Sequence, residues 1–251
     1  APIYADPALW VMKDDDTTIY LFGSVHLLKP NIIWFDDEVK SAFDRSDELV
    51  TEMIAPDPAE MAAAVTKLAV NTDGPATSSL MTPAERTKYL AALAQLDLPA
   101  ETFDRLDPWM AAITLSIAPL EKLGYTSDSG VDDQLMAAAK TAHKKQVGLE
   151  TVEQQLGYFD NLPRPLQIKY LNATVDELPG IDKQFSNLIA NWSRGNVKAI
   201  AAEMNGSLES TPELAKVLLY DRNRRWAHWI GERMKQPGTI FVAVGAGHLA
   251  E

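Results

Sequence analysis

The chain has 251 residues, with 35 acidic and 23 basic side chains (formal net charge −12), no cysteine and four histidines. At roughly 100–200 residues per domain this allows one large domain or a domain with a sizeable insertion. A hydrophobic content of 46% can fill a core, which excludes wholesale disorder.

Absence of cysteine removes disulfides, thiolate zinc sites, iron–sulfur clusters and a cysteine nucleophile, so metal chemistry would have to use His, Asp and Glu. No basic stripe exists to neutralise phosphates, which argues against nucleic acid as a partner; Arg222, Arg224 and Arg225 are too few. No apolar run approaches the ~18–20 residues of a membrane span.

In chain order, Ala8 to Lys13 and Thr17 to Gly23 flank Asp14-Asp15-Asp16, which predicts a hairpin with an acidic turn. The arm Thr17-Thr18-Ile19-Tyr20-Leu21-Phe22 is β-branched and aromatic, as a buried strand should be. A short helix over Asp36 to Arg45 and a strand over Glu48 to Glu52 follow. From Pro58 to Met136 the period is helical, and Thr82-Pro83-Ala84-Glu85 has the form of a capped helix start. Ser129 or Asp128 is expected to cap a helix over Asp132 to His143, ahead of a short strand over Gln146 to Glu150. Helices resume over Gln154 to Phe159, Pro165 to Leu171, Asp182 to Trp192 and Val197 to Met204, with a last one over Glu213 to Met234. Pro237-Gly238 then turns into Thr239-Ile240-Phe241-Val242-Ala243-Val244, whose unbroken apolar run predicts a strand covered on both faces. The expected architecture is one α/β domain over 1–251, a central mixed sheet with flanking helices, carrying a mainly helical insertion at about 56–205.

The most informative pattern occurs twice. Gly23-Ser24-Val25-His26 ends the first buried strand and Gly245-Ala246-Gly247-His248 ends the last, where chance predicts about 0.2 such matches for 13 glycines and four histidines. The crevice beyond strand C-terminal ends is where open α/β sheets bind ligands. Glycine there allows a sharp turn and close approach to a ligand, making Gly23 and Gly245 candidate substrate-binding positions. His143 sits in a Lys-rich helix end, where a favourable interaction with the helix dipole explains it, and His228 reads as a packing or surface residue. Glu52 and Glu150 close strands, and a charge there needs a partner; for either, a helix N-cap or a salt bridge is the alternative to a functional role. Asp132 is explained by capping. Arg222-Asn223 lies on the last helix, where Arg222 is either solvated or clamps an anionic group.

Together these segments resemble the TraB/PrgY/GumN family, its GumN-like branch above all, which includes the TIKI proteases and is remotely related to the erythromycin esterase and ChaN-like group. The resemblance runs from Pro7-Ala8-Leu9-Trp10 through Leu21 to His26, Asp47 to Glu52, Pro108-Trp109, Gly130-Val131-Asp132 and Gly148 to Thr151, then Arg222 to Trp226 and Val242 to His248. It implies an erythromycin esterase/ChaN-like fold and a site of His26, Glu52, Arg222 and His248. It also implies a divalent-metal-dependent, peptidase-like hydrolase acting on a peptide or a small ester or amide. His26, Glu52 and His248 would hold Mn, Co or Zn, Glu150 would be the general base, and Arg222 with Asn223 would bind substrate or the developing oxyanion. A metal-free esterase using histidine and glutamate, a non-catalytic regulatory binding protein and a haem carrier are the other readings. The family pattern further implies a removed secretion signal, hence a periplasmic or secreted mature form, and a helix and strand beyond Glu251. Asp133-Gln134 departs from the family, which often carries His or Tyr in that turn.

Overall fold

In the computed structural model, which describes residues 1–250, Asp14 Oδ1 accepts from the backbone N–H of Asp16 (3.1 Å) and Thr17 (2.9 Å). This side-chain bonding closes the acidic turn predicted from the sequence. The strands are β1 (Ile3–Tyr4), β2 (Leu9–Lys13), β3 (Thr17–Ser24), β4 (Ile32–Ile33), β5 (Glu48–Met53), β6 (Lys145–Glu150) and β7 (Gly238–Gly245). The first helices are α1 (Asp37–Arg45), α2 (Pro58–Ala69), α3 (Pro83–Gln95), α4 (Pro108–Lys122) and α5 (Val131–Thr141). They are followed by α6 (Val152–Asp160), α7 (Arg164–Glu177), α8 (Ile181–Ser193), α9 (Val197–Leu208), α10 (Pro212–Ala215) and α11 (Asp221–Arg233). None of the described helices is long and apolar enough to cross a membrane.

The chain divides into two compact units. The first comprises Ala1–Ile54, Gly124–Glu150 and Phe185–Glu251 and contains a five-stranded mixed sheet in the order β2-β3-β7-β5-β6. Only β2 runs antiparallel to its neighbour. The most apolar strand, β7, is at the centre, with Ile240, Phe241, Val242 and Ala243 wholly buried. Register puts Ile19, Val50, Ile240, Val242 and Val244 on one face, where they pack with Trp226 of α11. On the other face Phe22 and Phe241 meet Trp34, Trp192 and Phe43 in an aromatic cluster with centroid separations of 5.6–6.3 Å. Covering both faces is what makes an unbroken apolar strand stable here.

The second unit, Ala55–Leu123 and Thr151–Gln184, is helical. Thr82 and Glu85 form the expected capping box, with each side chain accepting from the other's backbone N–H. Tyr89, Leu93, Leu115 and Leu171 are wholly buried, and Trp109, Phe159 and Tyr170 stack in a row.

Three sequence expectations change. The helical unit is narrower than 56–205 because α5 and β6 return to the sheet, where β6 pairs with β5. The last helix is not one uniform piece over Glu213 to Met234: α10 passes through a π-helical turn, Lys216–Tyr220, into α11. At α5 the N-cap is Gly130 and makes no side-chain cap bond, so neither Ser129 nor Asp128 is the cap.

Candidate active site

The parallel pairing of β3 and β7 brings the two Gly-x-x-His motifs together. Ser24 and Gly245 are register partners, so both chains leave the sheet side by side and His26 and His248 follow at once. A methyl group built on Gly245 would stand 3.2 Å from Glu52 Oε2, 3.4 Å from His248 Cδ2 and 4.0 Å from His26 Nε2, which puts all three side chains around one backbone position. Gly23 serves a different purpose: a Cβ there would lie 3.0 Å from Ala246 Cα, so its bareness permits the close approach of the two strand ends.

Each imidazole is anchored through Nδ1. His26 Nδ1 lies 2.6 Å from Asp132 Oδ2, and His248 Nδ1 lies 2.6 Å from Asn223 Oδ1. Asp132 reaches its ring because Val131 N–H donates to Val25 O (3.0 Å) and Gly130 packs directly on the His26 carbonyl. A Cβ on Gly130 would come within 2.0 Å of that oxygen. Asp132 was expected only as a cap; its adjacency to Gly130-Val131 is the sequence signal that could have placed it.

Desolvation pulls the His26 pKa down, but the hydrogen bond and charge of Asp132, helped by Glu52, outweigh it and raise the value to about 9. The side chain keeps 64% of its surface open, so solvent relieves part of that penalty and also screens the Asp132 charge, leaving the direct 2.6 Å hydrogen bond as the main upward influence. The Asp132 carboxyl is itself held low: its own desolvation raises it, and His26 more than reverses this. His248 is half-buried, and desolvation lowers its pKa to about 4 although Glu52 and Glu150 oppose the shift.

Beneath the histidines lies a buried charge cluster. Arg222 Nη2 donates to Glu52 Oε1 and Glu150 Oε1, both at 2.7 Å, its Nε to Glu150 Oε2 at 3.1 Å, and its Nη1 to Leu218 O at 3.2 Å in the π turn. Glu52 Oε2 accepts from the Gly245 backbone N–H at 2.7 Å. Trp226 contacts two of these groups, with the Arg222 guanidinium 4.7 Å and the tilted His248 ring 4.5 Å from its centroid. An apolar cavity of about 470 Å³ adjoins the site, with Asn223 and His248 as its polar wall and Leu21, Trp226, Ile230 and Val244 among its apolar ones.

All five expected catalytic side chains, His26, Glu52, Glu150, Arg222 and His248, thus lie in one neighbourhood, whereas His143 and His228 are exposed elsewhere. The donor set expected for a divalent ion, His26, Glu52 and His248, fits less well. Glu52 has one oxygen on Arg222 and the other on Gly245, His248 turns its Cδ2 carbon toward Gly245, and among the described residues no group of three His, Asp or Glu side chains is placed to hold a metal ion.

The sequence profile of the TraB/PrgY/gumN family matches residues 8–251. Two similar curated proteins, both bearing the name "Uncharacterized protein YbaP", come from Escherichia coli (strain K12) and Shigella flexneri. Each is 25% identical over 251 residues, spanning 98% of this chain and 89% of its own length. A protein of Treponema pallidum (strain Nichols) is 22% identical over 258 residues, spanning 95% of this chain and 76% of its own. No solved structure matches.

Proposed function

The chain belongs to the TraB/PrgY/gumN family, and from that premise we propose that it is a hydrolase of ester or amide bonds, peptidase-like, working through its two anchored imidazoles. The observation that carries this reading is that both rings are tied through Nδ1 to side-chain oxygens at 2.6 Å and sit around Gly245. Two like groups in contrasting environments are the usual basis of an acid–base pair.

His248, kept neutral by desolvation, takes a proton from the attacking water. His26, kept cationic by Asp132, offsets negative charge developing on the carbonyl oxygen and donates a proton to the leaving group. The water oxygen bonds to the carbonyl carbon, the bond to the leaving group breaks, and solvent returns the proton from His248 to His26. Arg222 acts one layer back: it balances Glu52 and Glu150, and Glu52 holds the Gly245 N–H. Since Glu150 directs both oxygens at Arg222, the general-base role falls to histidine.

Chromogenic ester and peptide-amide panels with wild type, His26→Gln and His248→Gln, before and after chelation, test the proposal. Turnover should survive chelation and fall roughly 10²–10⁴-fold in either variant. Equal rates in all three proteins reject catalysis by these residues. Loss on chelation, with recovery in Mn, Co or Zn, favours the metal-dependent route instead. A periplasmic or secreted site of action belongs to the same proposal and rests on the family resemblance; cell fractionation tests it.

A further inference from the structure

We propose that Asn223, on the sequence a candidate substrate contact, is a positioning residue that selects the protonated nitrogen of His248 and thereby points an unprotonated Nε2 into the site. The inference deepens the catalytic reading of His248 and rests on it for its functional half.

Two contacts hold the His248 ring, and they do different work. Trp226 packs against it at 4.5 Å with a 54° interplanar angle, which restricts the ring plane. A tilted packing contact of this kind does not by itself distinguish two orientations related by a half-turn about the Cβ–Cγ bond, because the ring outline is nearly the same in either. The hydrogen bond can. With Nδ1 at 2.6 Å from Asn223 Oδ1, the ring edge toward Asn223 carries a nitrogen, and the Cδ2 edge lies toward Gly245. A half-turn would set the Cδ2–H against the amide oxygen and lose the bond.

The amide oxygen is only an acceptor, so the nitrogen it faces must carry the proton. In a neutral imidazole that leaves Nε2 with its lone pair, the form required of a base at that atom. Asp132 makes the equivalent contact to His26 at 2.6 Å through a carboxylate oxygen. The neutral amide fixes the orientation of His248 without adding a negative charge to a site that already holds Glu52 and Glu150. Asn223 occupies the first turn of α11 beside Arg222, so the helix that carries the guanidinium also sets the tautomer.

Long-range proton–nitrogen NMR of ¹⁵N-histidine-labelled protein near neutral pH reads the tautomer without any substrate, with His248→Gln used for assignment. Wild type should show His248 protonated at Nδ1, and Asn223→Ala should lose that preference. Asn223→Asp, which keeps an acceptor oxygen, should keep Nδ1 protonated. A wild-type ring protonated at Nε2 alone overturns the proposal even if no variant folds, and so does an unchanged spectrum in a folded Asn223→Ala. Where a substrate is turned over, Asn223→Ala should lower kcat roughly 10–100-fold with little change in KM. An effect confined to KM would return Asn223 to substrate binding. The expected NMR result without hydrolysis would leave the tautomer assignment standing and reject only the catalytic reading.

Discussion

Replacing Arg222 with Met should damage the fold far more than losing one helical surface charge. The guanidinium bridges two carboxylates whose side chains are only 10% and 3% exposed. Removing it strips the cation from Glu52 and Glu150 while leaving both charges inside. Arg225 Nη2 lies 3.9 Å from Glu150 Oε2 with its side chain 51% exposed, a contact longer than a hydrogen bond and screened by solvent, so it offsets little of the lost charge. Breaking a buried ion pair from one side costs about 3–5 kcal/mol, a large share of the roughly 5–15 kcal/mol by which a domain is stable. With a urea dependence near 3 kcal/mol per molar, the unfolding midpoint should fall by about 1–1.7 M. Urea titration followed by tryptophan fluorescence and circular dichroism measures this. The triple variant Glu52→Gln, Glu150→Gln, Arg222→Met removes the charges together and should regain most of the loss, since neutral replacement of a whole buried cluster is commonly near neutral. A midpoint unchanged in the single variant, or a triple variant no more stable than the single, would refute the reasoning that Arg222 compensates two desolvated carboxylates.

The two remaining predictions concern the histidines and their support. A raised pKa keeps His26 protonated up to about 9 and a lowered one keeps His248 neutral down to about 4, so kcat/KM should rise with pH through the lower value and fall through the upper. Asp132→Asn should move the upper limb down toward 6.5, and a limb that does not move contradicts the ion-pair assignment. Gly130→Ala, whose new Cβ would lie 2.0 Å from the His26 carbonyl oxygen, meets backbone that cannot rotate away. It should cost about 3 kcal/mol, the upper end for overpacking, seen as a lowered thermal midpoint.

Much of the sheet was legible because the alternation of turn and strand signals is local. Asp14-Asp15-Asp16 announced the hairpin, and the run from Thr239 to Val244 announced the central strand. Thr82 and Glu85 marked a helix start through residues that bond to one another, and both bonds are present. Harder to read were contacts decided by distant chain. Asp132 looked like a cap because Asp near a helix start commonly is one, yet it lies 106 residues from the ring it holds. The π turn at Lys216–Tyr220 left no mark, since a single extra residue within a helical pattern does not disturb its hydrophobic period enough to notice. The carboxylates were recognised as needing partners, but Arg222 satisfying both at once depends on how α11 lies across the sheet.

Adjacency of β3 and β7 has a consequence for how this protein can change. The two imidazoles hang from neighbouring strands in the most buried part of the sheet, so separating them means breaking the ladder between Thr17–Ser24 and Gly238–Gly245. Openings of that kind cost nearly as much as unfolding the whole unit. The two imidazoles are therefore placed where spontaneous backbone motion is least, and this site can be altered only through residues that can be exchanged without loosening those two strands.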